Sequence, residues 1–152
     1  MTDAFAVTMN GRTSFELKHS AEEEIVNLLS RLDGVDRYSM ILWELPENIP
    51  FDRVDVNDYP HEYVQCAGSF EGRLTAELRE VRDGSARQYV IGRASVDPGD
   101  GGAADEVVPW NGYEARVRAN EVLSGSDVRE LFLFYYRNGE LPDSYTRREI
   151  EL

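Results

Sequence analysis

Residues 62–93, EYVQCAGSFEGRLTAELREVRDGSARQYVIGR, decide the fold class. They divide into three runs with strand character, residues 62–67, 73–81 and 87–93. In the middle run Leu74, Ala76 and Leu78 alternate with Arg73, Thr75, Glu77 and Arg79, the two-residue period of a strand with one buried and one wet face. Asp83-Gly84 joins the last two runs as a tight turn. The pattern describes an antiparallel meander.

Working outward toward the N-terminus, residues 44–62 hold three prolines and the acids Glu44, Glu47, Asp52, Asp55, Asp58 and Glu62, opposed by Arg53. Proline removes a ladder donor, so this stretch reads as a surface connection. Before it, residues 38–45, YSMILWEL, are apolar and β-prone up to Pro46, which suits a buried central strand with Trp43 in or near the core. Ser20 with Glu23 three residues on forms a capping-box pattern, and Ile25, Leu28, Leu29 and Leu32 share one helical face before Gly34. Residues 4–9 and 13–17 flank Asn10-Gly11, the strongest two-residue hairpin signal.

Toward the C-terminus, residues 95–103, SVDPGDGGA, are too rich in glycine and proline for regular structure. They lead into Asp105 and Glu106 and on to Trp110, so an acidic loop is expected to precede a tryptophan. A helix should start near Ser124 or Ser126 and end at Asn138-Gly139. Its centre, LFLFYY over residues 131–136, is apolar all round and does not by itself separate helix from strand. The caps, with Asp127 in the first turn and Arg137 in the last, favour helix. Residues 146–152 alternate like an edge strand. The sum is an α+β domain over residues 1–152, mainly antiparallel sheet with two helices packed on it.

Composition narrows the function. The chain has 152 residues, 41% hydrophobic and 11% aromatic, enough for one real core. Its 29 acidic against 16 basic residues give a formal net charge of −13. Phosphates would repel such a chain, which argues against nucleic acid and anionic membranes and favours a basic partner, or else reflects solubility alone. No run approaches the about 18 apolar residues of a membrane span, and the N-terminus lacks a signal-peptide pattern, so a cytoplasmic location is expected. Cys66, the single cysteine, reads as a packed core thiol. His19 and His61 show no metal-ligand spacing, no serine sits in a nucleophile elbow, and the glycines at 99–102 lack the Lys-Ser/Thr of a phosphate loop. Glu22-Glu23-Glu24 reads as solvated charge. No catalytic constellation, metal site or cofactor site is expected.

What remains are two segments that mix carboxylates with aromatics, residues 44–62 with Phe51, Tyr59 and Tyr63, and residues 97–106 followed by Trp110 and Tyr113. Interfaces draw affinity from aromatic anchors and steering from charge. Tyr63 reads as core, while Tyr59 and Trp110 read as surface anchors.

The capped helix ending in Tyr136, Asn138 and Gly139 with Pro142 beyond, the closing strand after it, the leading hairpin and capped helix, and Leu74-Thr75-Ala76-Glu77 on a strand occur in an order that resembles bacterial polymorphic-toxin immunity proteins, family one. The resemblance implies a protein without enzymatic residues that binds and silences one cognate toxin as a heterodimer. The target would be the C-terminal domain of a secreted nucleic-acid deaminase or nuclease. The acidic, proline-rich stretch 44–62 departs from the commoner members.

A toxin acting on nucleic acid presents a basic groove, which an acidic protein can fill by standing in for phosphates. The expected contact residues are Asp55, Asp58 and Tyr59 from the first segment and Asp97, Asp100, Asp105, Glu106 and Trp110 from the second. Two other classes remain open. One is a regulatory domain that binds a small ligand or basic peptide in an apolar pocket; the other is a hydrolase built on two buried carboxylates.

Overall fold

Two dipeptides turn the chain back on itself as expected. Asn10 and Gly11 both take positive φ, 55° and 67°, as do Asp83 and Gly84, 52° and 78°. These turns join β1 (Phe5–Met9) to β2 (Thr13–Glu16) and β5 (Leu74–Arg82) to β6 (Ser85–Arg93). With β3 (Ser39–Glu44), β4 (Tyr63–Gly68) and β9 (Tyr145–Ile150) they form a seven-stranded, wholly antiparallel sheet in the order β2-β1-β3-β4-β5-β6-β9. The expected α+β class and the meander are therefore present in the computed structural model, which describes residues 4–18, 20–55, 60–99 and 103–151.

Helices α1 (Ala21–Ser30) and α2 (Gly125–Asn138) cover one face of this sheet. Ile25 and Leu29 of α1 and Val128, Leu131, Phe132 and Tyr135 of α2 pack on Val7, Met40, Leu42, Val64, Cys66, Ala76 and Leu78, forming the main core. The α2 caps are those expected. Ser124 Oγ accepts from Asp127 N–H, Asp127 Oδ2 accepts from Ser124 N–H at 2.9 Å, and Gly139 closes the helix at φ 71°. The α1 capping box does not form. Ser20 sits at the cap position but in the left-handed region, φ 56°, where its hydroxyl caps nothing, and Glu24 rather than Glu23 reaches back, to Lys18 N–H. The helix also ends at Ser30, before Gly34, leaving Leu32 buried just outside it.

The second face of the sheet carries two further covers. Phe51 and Val54, from the proline-rich connection with its short 3₁₀ turn Phe51–Arg53, pack on Trp43, which is fully buried and donates from Nε1 to Thr8 Oγ1 at 3.1 Å. The other cover corrects the sequence reading. The expected acidic loop becomes β7 at Glu106, and β7 (Glu106–Trp110) with β8 (Tyr113–Val117) makes a second, two-stranded sheet. Val108 and Val117 of this ribbon pack on Val90 with Ile150 beside them. The outer face of β5 is consequently not wet throughout, and Thr75 is only 6% exposed. Gly68 permits the close passage of β7: at φ 123°, a Cβ there would lie 2.2 Å from Arg73 O and 3.1 Å from Val108 Cγ1.

Candidate functional site

Asn111-Gly112, both at positive φ, folds the tip of the β7–β8 ribbon and sets Trp110 opposite Tyr113. The rings of this cross-strand pair lie 5.2 Å apart, and Trp110 also stacks on Tyr38 at 5.6 Å with an interplanar angle of 22°. A three-ring ladder results, Tyr38–Trp110–Tyr113. Its outer member is 63% exposed.

Three separate loops hold the ladder in place. Asn10 Oδ1, in the first hairpin turn, accepts from the N–H groups of Tyr38 and Ser39, while its Nδ2 donates to Asp36 O at 2.8 Å. Asp33 Oδ1 accepts from Val35, Asp36 and Arg37 N–H at 2.8, 2.9 and 3.0 Å, shaping the loop between α1 and β3. The backbone hydrogen bond from Arg37, with help from that of Val35, holds the Asp33 carboxyl below its ordinary range. Gly34 of that loop accepts from Asn111 N–H at 2.6 Å, which docks the ribbon tip. Val35 and Tyr113, two of the three exposed large hydrophobic side chains among the described residues, belong to this junction. The α1–β3 loop brings Asp33, Asp36 and Arg37 to it, and Glu114 follows Tyr113 in the ribbon.

The residues expected at an interface are dispersed. Asp55 follows the 3₁₀ turn seated over Trp43, on the β1–β3 side of the sheet. Asp97 accepts from Gly99 N–H at 2.8 Å in a loop anchored by Ala94 N–H to Ser144 O and by Ala119 N–H to Pro98 O, on the β6–β9 side. Three strand spacings separate these sides, on the order of 15 Å. Asp105 is exposed, and Glu106 pairs with Arg73 at 3.5 Å at the far end of β7 from Trp110. Asp58, Tyr59 and Asp100, like His19, lie outside the described residues. Of the proposed contacts among the described residues, only Trp110 joins the aromatic ladder. Tyr38 and Asp33 carried no functional signal in the sequence, Asn10 read only as a hairpin turn, and Asn111-Gly112 was the available signal for the ribbon.

Two of the concavities beside the sheet combine carboxylates with aromatic side chains. On the second face, between the ribbon and strands β3 to β5, a groove of about 330 Å³ has Ile41, Gln65, Thr75 and Glu77 on its floor and Tyr38 and Trp110 along its wall. On the helix face, beyond the end of α2, a cleft of about 520 Å³ surrounds Tyr135 with Glu44, Glu62, Glu80 and Glu140. Burial, reinforced by Glu62, Glu44 and Glu80, pushes the Tyr135 phenol up. Arginines answer two of these acids: Arg82 reaches Glu62 at 3.1 Å and Glu80 at 3.0 Å, and Arg147 also pairs with Glu80.

Among the described residues no group of three or more His, Cys, Asp or Glu is placed to hold a metal ion, and no helix is long and apolar enough to cross a membrane. Compared with protein-family models, curated proteins and solved structures, the chain matches none.

Proposed function

We propose that the chain is a binding protein that docks a basic protein partner on the Tyr38–Trp110–Tyr113 junction. Following the resemblance of its sequence order, the partner class is a secreted toxin domain acting on nucleic acid, neutralised by occlusion. The observation that carries the reading is the aromatic ladder itself. It is pre-organised by three loops, ends in an exposed tyrosine and belongs to a chain of net charge −13. Rigid aromatics supply affinity at low entropic cost, and long-range charge supplies association rate and partner choice. An interface of standard size would bury about 1,200–2,000 Å². That is large enough to extend from Trp110 along the ribbon to Asp105 and Glu106.

The test is co-purification of the tagged chain with the toxin C-terminal domain encoded beside it, followed by nucleic-acid deamination and cleavage assays. A one-to-one complex with lost toxin activity supports the reading, and a well-folded chain that neither binds nor inhibits refutes it. A second reading, a regulatory domain for a small cation or basic peptide, draws on the acid-lined cleft at Tyr135. It predicts saturable binding abolished by Tyr135→Phe and untouched by Trp110→Ala.

A further inference from the structure

The groove beside the aromatic ladder contains more polar chemistry than packing requires. Thr75 is 6% exposed, lines the groove, and its hydroxyl has no hydrogen-bond partner among the described residues. Gln65, half-buried on the same floor, likewise makes no side-chain hydrogen bond among them. Neither polar group is sealed from solvent, so both stand open on the groove floor and available to a ligand that brings donors. Glu77 completes the floor. Its Oε1 accepts from Gln88 Nε2 at 2.7 Å, and Gln88 is steadied in turn by Tyr63 OH and Arg79. Two cations stand near Glu77 and both are committed elsewhere: Arg79 donates to His61 O at 3.1 Å and to Gln88 Oε1, and Arg148 holds Glu121 through two 2.8 Å bonds.

These groups define the occupant. A carboxylate and two open acceptors face an indole and a phenol ring, in a space at the lower limit of ligand pockets. Lysine would offer a compact, strongly hydrated charge. Guanidinium instead offers a plane that lies on the indole and a fork of donors that matches a carboxylate and its neighbours.

We propose that this groove receives an arginine side chain of the partner protein, its guanidinium stacked on Trp110 and bonded to Glu77, with Thr75 and Gln65 accepting the remaining donors. The inference rests on the reading of the chain as a binder of a basic protein and names the residue type that the site selects.

The test uses the isotope-labelled full chain and three single-residue probes, the acetylated methylamides of arginine, of its neutral isostere citrulline and of lysine, followed by amide and indole NMR shifts. The expected result is saturable shifts at Thr75, Glu77 and the Trp110 indole with an arginine Kd on the order of 1 mM. Citrulline and lysine should bind about tenfold more weakly or not at all. Glu77→Gln keeps an acceptor for Gln88 and removes the charge, and should weaken arginine about tenfold with the melting temperature unchanged. Thr75→Val checks the floor independently. Equal response to citrulline, linear shifts scattered over the charged surface, or indifference to both variants overturns the assignment.

Applying the same variants to the toxin complex separates the two readings. A complex unaffected by Glu77→Gln and Thr75→Val removes the arginine groove and leaves the binding function standing. A saturable arginine response without any toxin complex removes the toxin and leaves the groove.

Discussion

Trp110 lies on Tyr38 with ring centroids 5.6 Å apart, so the tip of a ribbon near the C-terminal third is pinned to the residue just before β3. Aromatic pairs of this kind contribute about 0.5–1.5 kcal/mol beyond the area they bury. Trp43, not Trp110, anchors the sheet. Trp110→Ala is therefore expected to leave the sheet and both helices intact, seen as an unchanged far-UV spectrum, while losing near-UV signal from the ladder. As a central anchor its loss should weaken the partner complex by about 2 kcal/mol or more, roughly 30-fold, measured by calorimetry. A complex of unchanged affinity would move the interface elsewhere on the molecule.

The docking of that tip should depend on pH through Asp33. Its carboxyl is held below an ordinary value of 3.8 by backbone donors in the folded state. A depressed carboxyl stabilises the loop above its unfolded pKa and loses that contribution as pH falls through the folded value. Below about pH 4, the protection factors of the Val35, Arg37 and Asn111 amides, taken relative to intrinsic exchange at each pH, should therefore fall before those of the main core. Asp33→Asn retains an acceptor without the titrating charge and should flatten this dependence. Protection that falls identically in both proteins would assign the acid sensitivity to another group.

The parts of this fold visible in the sequence are those set by local rules. Alternation at Leu74, Ala76 and Leu78, the Asn10-Gly11 and Asp83-Gly84 turns, and the Ser124–Asp127 box with Gly139 each express a preference that acts within a few residues. The ribbon carried the same signal at Asn111-Gly112, obscured by Pro109 and by the glycine-rich acids before it. Pro109 is tolerated there because the ribbon is only two strands wide, so the missing donor can face solvent. Ser20 shows the opposite error. The residue types of a capping box are present, but Ser20 adopts a left-handed backbone. The Tyr38–Trp110 stack, the hydrogen bond from Asn111 to Gly34 and the groove floor bring together positions distant in sequence, for which no period or turn signal exists.

Cys66 should behave as a sealed thiol. It is buried on β4 against the helices, and desolvation pushes its pKa up to about 12. Thiolate is the reactive form, so a neutral buried thiol is protected twice, by access and by protonation. Thiol-reactive dye at pH 8 should label the native chain only at the rate of opening, at least 100-fold more slowly than the chain in denaturant. Cys66→Ala should cost about 1–2 kcal/mol as a small core truncation, read from denaturant melts. Rapid native labelling would show that β4 is far less protected than its packing indicates.

Glu121 is 1% exposed, in the short 3₁₀ turn Ala119–Glu121, and both its carboxylate oxygens meet Arg148 on β9 at 2.8 Å. Oε1 also accepts from Arg118 N–H at 2.8 Å. Alongside, Asn120 Nδ2 reaches Thr146 Oγ1 at 3.3 Å over Gly92, where a Cβ would come within 2.5 Å of Asn120 Nδ2. The segment that carries the chain from the ribbon into α2 is thereby clamped to the outermost strand, and an edge that could pair with another chain is held by a charge on its inner side. Removing one partner leaves the other charge buried without compensation, which costs about 3–5 kcal/mol at a fully buried site and less here because Arg148 is 27% exposed. Arg148→Met should thus destabilise by about 2–3 kcal/mol, a fall in Tm of about 4–12 °C for a chain of this size. The double variant Arg148→Met with Glu121→Leu removes both charges and should recover at least half of the loss. If the double variant is as unstable as the sum of the singles, the two side chains are not coupled and the clamp resides in the Asn120–Thr146 contact instead.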